Sequence, residues 1–198
     1  MCSESVQNLR LKVKAGRESK FLPIFQRGVY LKSRAGLPLA KVLEEAGFSR
    51  KYLEEKVQTV FLDGSAVDDL DWAIVKDGSV IALSAAMPGL AGAILRKGSP
   101  ISALRSRTSA ETGPHCTDEA ILRLKLFNTI VKEMGPQLLH SGILLKRSDW
   151  EDFFSHGGEL LQGAILEAEL DRAPLSLAEV LDRKSIRSDY VVLQVMKN

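Results

Sequence analysis

The stretch SVIALSAAMPGLAGAILRKGS, Ser79–Ser99, begins as a buried strand and ends as a glycine-rich tail. Val80, Ile81 and Leu83 make a short apolar run of the kind that lies inside a sheet. Pro88, Gly89 and Gly92 then break it. Such a tail belongs at the end of a folded unit, yet about half of the 198 residues follow it. A second unit after Ser99 would explain the placement.

The two halves share a pattern of elements. LRLKVKAG from Leu9 and LRLKLFNT from Leu122 each alternate apolar and basic residues, the period-two signature of a half-buried strand. An apolar insert containing Pro follows each, FLPIFQRG and MGPQLLHSG, and each insert leads to a further strand, GVYLKS from Gly28 and GILLKR from Gly142. LPLAKVLEEAGFS then places Leu39, Val42, Leu43 and Ala46 at helical spacing, with Gly47 as a stop. SDWEDFFSHGGELLQG repeats this with Trp150, Phe153 and Phe154, with Ser148 as an N-cap and Gly157-Gly158 as the end. Strands reaching Leu62-Asp63 and Leu170-Asp171 come next, and DYVVLQVM from Asp189 closes the second half as Ser79–Met87 closes the first. The offset stays near about 110 residues. The alternative is two unrelated α+β units with generic strand patterns.

Strand, strand, helix, strand, crossing segment, strand is the order of a β-grasp unit, in which one helix covers a mixed sheet. The first and last strands of that fold lie side by side in the sheet centre, which suits the apolar last strand of each half. Residues 28–92 resemble the ThiS/MoaD family of ubiquitin-like sulfur carriers. The resemblance is carried by LPLAKVLEEAGFS as helix, VFLDGSAVDD as hairpin, and VKDGSVIALSAAMPGLAGA as last strand and tail. It implies a ubiquitin-like fold and, for a sulfur carrier, a free C-terminal Gly-Gly whose carboxylate is adenylated and converted to a thiocarboxylate. This chain departs there: Gly89 and Gly92 are not adjacent, the chain continues, and QVMKN holds no glycine. Residues 120–198 resemble the fold only through their match to the first half.

The expected organisation is therefore α+β: an N-terminal tail 1–8, a β-grasp domain 9–88, a partly ordered Gly/basic linker 89–119, and a second β-grasp domain 120–198. Ile94, Leu95, Ile101 and Leu104 are too apolar for a wholly solvated linker.

The net charge of +2 does not mark a nucleic-acid-binding domain, and the few aromatics give no stacking platform. Arg96, Lys97, Arg105 and Arg107 nevertheless sit in a stretch without acids. With Gly89 and Gly92 they form the candidate interaction strip, its alternative being a solvated linker. No run approaches the ~20 apolar residues of a membrane helix. No apolar leader follows MCSESVQNLR, and the two cysteines, Cys2 and Cys116, build no disulfide framework. These features point to a cytoplasmic protein with no membrane or nucleic-acid partner.

Catalytic and metal-binding patterns are weak. His115, His140 and His156 lack ligand spacing, and adjacent His115-Cys116 side chains in a polar loop diverge. Asp63, Asp68, Asp69 and Asp71 lack the order of a calcium loop and read as a turn followed by a capped short helix. GLAGAILRKGS lacks the Lys-Ser/Thr of a phosphate loop. Lys12, Lys14, Lys32 and Lys125 read as the solvated face of strands. No cofactor, metal or catalytic residue is expected. The expected function is a non-catalytic protein-binding or scaffolding module with a protein partner or a second copy. One alternative is a sulfur or modifier carrier processed near Gly92. Another is a small-molecule-binding regulator using a cleft between domains.

Overall fold

The computed structural model describes residues 5–85, 92, 96–97, 119–182 and 185–198. Its elements, in chain order, begin with β1 (Val6–Val13), a 3-10 turn (Glu18–Phe21), α1 (Ile24–Arg27), β2 (Val29–Arg34), α2 (Leu39–Glu45) and α3 (Arg50–Glu55). Strands β3 (Thr59–Leu62), β4 (Ser65–Ala66), β5 (Val80–Ser84) and β6 (Glu119–Leu126) follow, then α4 (Asn128–Ser141), β7 (Ile143–Lys146) and α5 (Arg147–Gln162). The last are β8 (Ile165–Leu170), β9 (Ala173–Pro174), α6 (Leu177–Leu181) and β10 (Tyr190–Lys197). Parallel and antiparallel pairs occur together, so the fold is α+β with mixed sheet.

The chain forms two compact units. The first joins the chain up to Tyr30 to Lys132–Asn198; the second is Leu31–Val131. This division differs from the halves 9–88 and 120–198 read from sequence. The reason lies in strand pairing. β1 does not join the last strand of its own half; it runs parallel to β10, with Leu9 opposite Leu193 and Leu11 opposite Val195. β6 correspondingly runs parallel to β5, with Ile81 opposite Leu124. Alternation decides which face of a strand is buried, not which strand lies beside it.

In the first unit the strand order is β7-β10-β1-β8-β9. Leu9, Leu11 and Val13 of β1 and Val191, Leu193 and Val195 of β10 are buried, while Arg10 points to solvent. Trp150, Phe153 and Phe154 of α5 pack with Phe21 in an aromatic cluster. Buried aromatic rings of this kind dominate burial in a small core. The first proline-containing insert folds as the 3-10 turn and α1; the second is the fourteen-residue α4, which continues through Pro136. Gly135 lets α4 approach closely: a Cβ there would lie 2.6 Å from Leu22 Cδ2 and 3.3 Å from the Phe25 ring.

Helix α5 also departs from expectation. It starts at Arg147, without a side-chain cap from its N-cap Lys146, and continues through Gly157 and Gly158 to Gln162. Two glycines cost roughly 1 kcal/mol each in a helix interior. Burying Leu161 beyond them favours continuing the helix.

In the second unit the order is β2-β6-β5-β3-β4. Ala120, Leu122, Leu124 and Leu126 of β6 are buried and alternate with half-buried Ile121, Arg123 and Lys125. α2 buries Leu39, Ala40, Val42 and Leu43, and Gly47, at φ 96°, ends its run. Ser49 caps α3, its side chain accepting the Tyr52 N–H at 3.2 Å. No helix among the described residues is long and apolar enough to cross a membrane.

Candidate functional site

Three residues of the sequence-derived strip, Gly89, Arg105 and Arg107, lie outside the described residues. The other three are held locally. Gly92 is buried and its carbonyl accepts the Arg96 N–H at 3.0 Å, a helical-turn bond. Arg96 is exposed. Lys97 turns inward: its N–H donates to the Gln58 carbonyl at 2.7 Å, and its Nζ donates to the Leu53 carbonyl at 2.9 Å. Leu53 lies in the last turn of α3, where carbonyls lack intrahelical donors and carry partial negative charge. Burial lowers the Lys97 pKa from the ordinary lysine value; the nearby Arg50 charge also lowers it, and Glu54 opposes. Lys97 is thus a clasp on α3.

The aspartates are equally committed. Asp63 Oδ2 accepts the Ser79 hydroxyl and Oδ1 accepts the Val80 N–H at 2.7 Å. Asp69 Oδ1 accepts the Asp71 N–H at 2.9 Å, forming an Asx turn. Asp71 accepts a hydrogen bond from Arg50 Nη2. The expected short helix is absent: turns follow β4. Among the described residues no group of three His, Cys, Asp or Glu side chains could hold a metal ion. His115, Cys2 and Cys116 lie outside the described residues, as does the side chain of His156.

His140 lines a cavity of about 420 Å³ in the first unit, with Glu18, Pro136, Gln137, Ser141, Val195 and Lys197. The His140 carbonyl is taken by Gln194 Nε2 at 2.8 Å. Glu18 Oε2 is buried there without a hydrogen-bond partner.

A different feature stands out on the second unit. Trp72 is 76% exposed. The turn carrying it is tightly anchored. Leu39 N–H donates to the Ala73 carbonyl at 2.7 Å and Ala40 N–H donates to the Leu70 carbonyl at 2.9 Å. These donors belong to the first turn of α2, whose N–H groups have no partner within the helix. The turn therefore satisfies the helix, and the helix fixes the turn. Leu70 and Ala73 are buried on either side of the exposed Asp71-Trp72 pair. Pro38 bridges Ile74 just beyond, and Val75 N–H donates to the Leu37 carbonyl at 3.0 Å.

Carboxylates surround this turn. Asp71 shares the Arg50 guanidinium with Glu44, 3.7 Å from Nη1, and Glu54, 3.6 Å from Nε. The hydrogen bond to Asp71 and the three carboxylate charges raise the Arg50 pKa above the ordinary arginine value, against partial desolvation. Asp68 and Asp69 lie in the same exposed turn. An exposed indole offers a large rigid surface to a partner, and tryptophan is enriched among the residues that dominate binding energy. Sequence reading passed over Trp72. Its signal was present in DDLDWAI: a large apolar ring placed among aspartates, in a turn with no helical or strand periodicity to bury it.

No family model, no curated protein and no solved structure matches this chain.

Proposed function

We propose that this chain is a non-catalytic protein-binding module, built from two β-grasp-type units. The observation that carries the binding reading is Trp72, 76% exposed on a turn held at both ends by α2. Holding a large apolar ring in water has a solvation cost that a partner surface would remove. The anchored backbone reduces the ordering cost that binding otherwise meets.

The β-grasp reading draws support from the parallel pairs β1 with β10 and β5 with β6. Each joins a half's first strand to a last strand, as the fold requires, but to the last strand of the other half. Asp63 and Asp171 support equivalence of the units. Both lie at φ 51° after a buried or half-buried Leu, and each carboxylate accepts an N–H from the strand beside it, Val80 or Asn8.

The test is recovery of the full-length chain from its native cell under gentle conditions, beside a Trp72→Ala variant at matched abundance. A photo-crosslinking residue at position 68 reports what contacts the turn. The reading expects an intact chain mass and one crosslinked protein that the Trp72→Ala variant fails to retain. A partner retained equally by both chains, or a crosslink pattern without a protein partner, overturns it. A product ending near Gly92 with a thiocarboxylate mass shift would instead establish the carrier alternative.

A further inference from the structure

We infer that the Trp72 surface takes a lysine- and arginine-rich segment of another protein, an inference that rests on the protein-binding reading above. Two properties of the surface point to the same chemistry. The first is the indole itself. The face of tryptophan is the most favourable of the aromatic side chains for a guanidinium or ammonium, through the ring quadrupole. Trp72 is 76% exposed on a backbone tied through the carbonyls of Leu70 and Ala73.

The second property is charge. Arg50 is shared by Asp71, Glu44 and Glu54, so that group retains an excess of negative charge. Asp69 adds a further exposed carboxylate to the same turn. Lys97 is a further cation near Arg50 among the described residues, and its ammonium is engaged with the Leu53 carbonyl. Lys41 and Lys51, on α2 and α3, are paired within their helices to Glu45 and Glu55. A cationic segment meets complementary charge here, and an acidic one meets repulsion, which costs specificity and on-rate. An extended basic segment could lay one cation across the indole and its neighbours beside the carboxylates of the turn. The cation over the ring distinguishes this mode from charge attraction alone, because it makes binding depend on an aromatic at position 72.

The experiment uses the full chain and a fluorescently labelled oligoarginine peptide, with oligoglutamate and Gly-Ser peptides as controls, followed by anisotropy. Oligoarginine is expected to bind saturably, weakening about tenfold or more from low to high salt as exposed charges are screened. Trp72→Leu should weaken it about tenfold and Trp72→Tyr much less, since tyrosine keeps an aromatic face. Melting temperatures of the variants should match the parent, because the ring buries little. Equal binding by the parent and Trp72→Leu overturns the inference, as does equal binding of oligoglutamate. Trp72 fluorescence shielded from iodide until Arg105 and Arg107 are both replaced by Glu would also overturn it, by making the occupant the chain's own basic segment. The cellular crosslink separates this inference from the broader reading. A Trp72-dependent partner without a basic segment at the crosslink removes the present inference and leaves the binding function standing.

Discussion

The carboxylate of Asp171 accepts the backbone N–H of Asn8 at 2.8 Å, across 163 positions of sequence. The Asp171 N–H in turn donates to the Asn8 carbonyl, also at 2.8 Å. One turn residue thus holds both backbone polar groups of a strand residue. Asp63 does the same to Val80 in the second unit, with its N–H on the Val80 carbonyl and its Oδ1 on the Val80 N–H.

Asp171→Ala and Asp63→Ala should therefore each destabilise the chain, by about 1 kcal/mol or more for the lost charge-assisted bond and the unfavourable left-handed backbone. Asn at either position tolerates that backbone and keeps one acceptor oxygen, so it should recover most of the loss. Urea denaturation of the four variants measures this. A loss confined to one of the two positions would count against equivalence of the two turns.

The two tryptophans should separate cleanly. Trp150 is 2% exposed and packs on Phe154, whereas Trp72 is mostly in water. Trp150→Ala should cost about 3–5 kcal/mol, the range for deleting a buried aromatic. Trp72→Ala should change stability by less than about 0.5 kcal/mol. In the folded chain, acrylamide should quench Trp72 strongly and Trp150 weakly, so Trp72→Ala removes most of the quenchable emission.

Glycines inside helices give opposite expectations at two sites. Among the described residues, a Cβ at Gly158 would meet only Leu181 Cδ2 at 3.6 Å, an ordinary contact. Gly158→Ala should stabilise by about 0.5–1 kcal/mol, the helix-propensity difference. At Gly135 the Leu22 side chain can turn aside, but Phe25 is fully buried and its ring would lie 3.3 Å away. Gly135→Ala should lose that gain and cost about 1 kcal/mol through overpacking. Thermal melts of both variants compare the two effects in one scaffold.

Lys97 makes stability depend on pH. Its folded pKa is lowered by burial, so the folded chain releases this proton before the unfolded chain does. Over that interval the unfolded state binds more protons, and stability rises with pH. The rise is expected just below the ordinary lysine range. Lys97→Met should flatten the rise in paired urea titrations. An identical slope in parent and variant would show that Lys97 titrates as an exposed lysine.

Local structure was more legible than partnership. The alternation of Leu9, Leu11 and Val13 announced β1, and helical spacing with Gly47 announced α2. Both signals are carried by residues close in sequence. The parallel neighbour of β1 is chosen by the whole sheet, and several apolar strands offer similar faces, so β10 could not be singled out from periodicity. Gly157-Gly158 misled because propensity is a weak prior once α5 can bury Leu161. Lys97 looked like a surface cation, since nothing local shows that the end of α3 would receive it. Trp72 was overlooked because an isolated aromatic in a turn has no period to mark it.

The pairing of β1 with β10 also bears on how the protein is made. Gln7 and Ser188, which fasten the starts of these strands, are 181 positions apart. At about 5–20 residues per second, a ribosome takes on the order of ten seconds or more between them. Once it has left the tunnel, β1 waits without this neighbour until β10 follows, while Leu31–Val131 is one continuous stretch of chain. The nascent chain therefore carries an unpaired strand edge until β10 is made, a site for chaperone capture or for pairing with a neighbour on the same polysome.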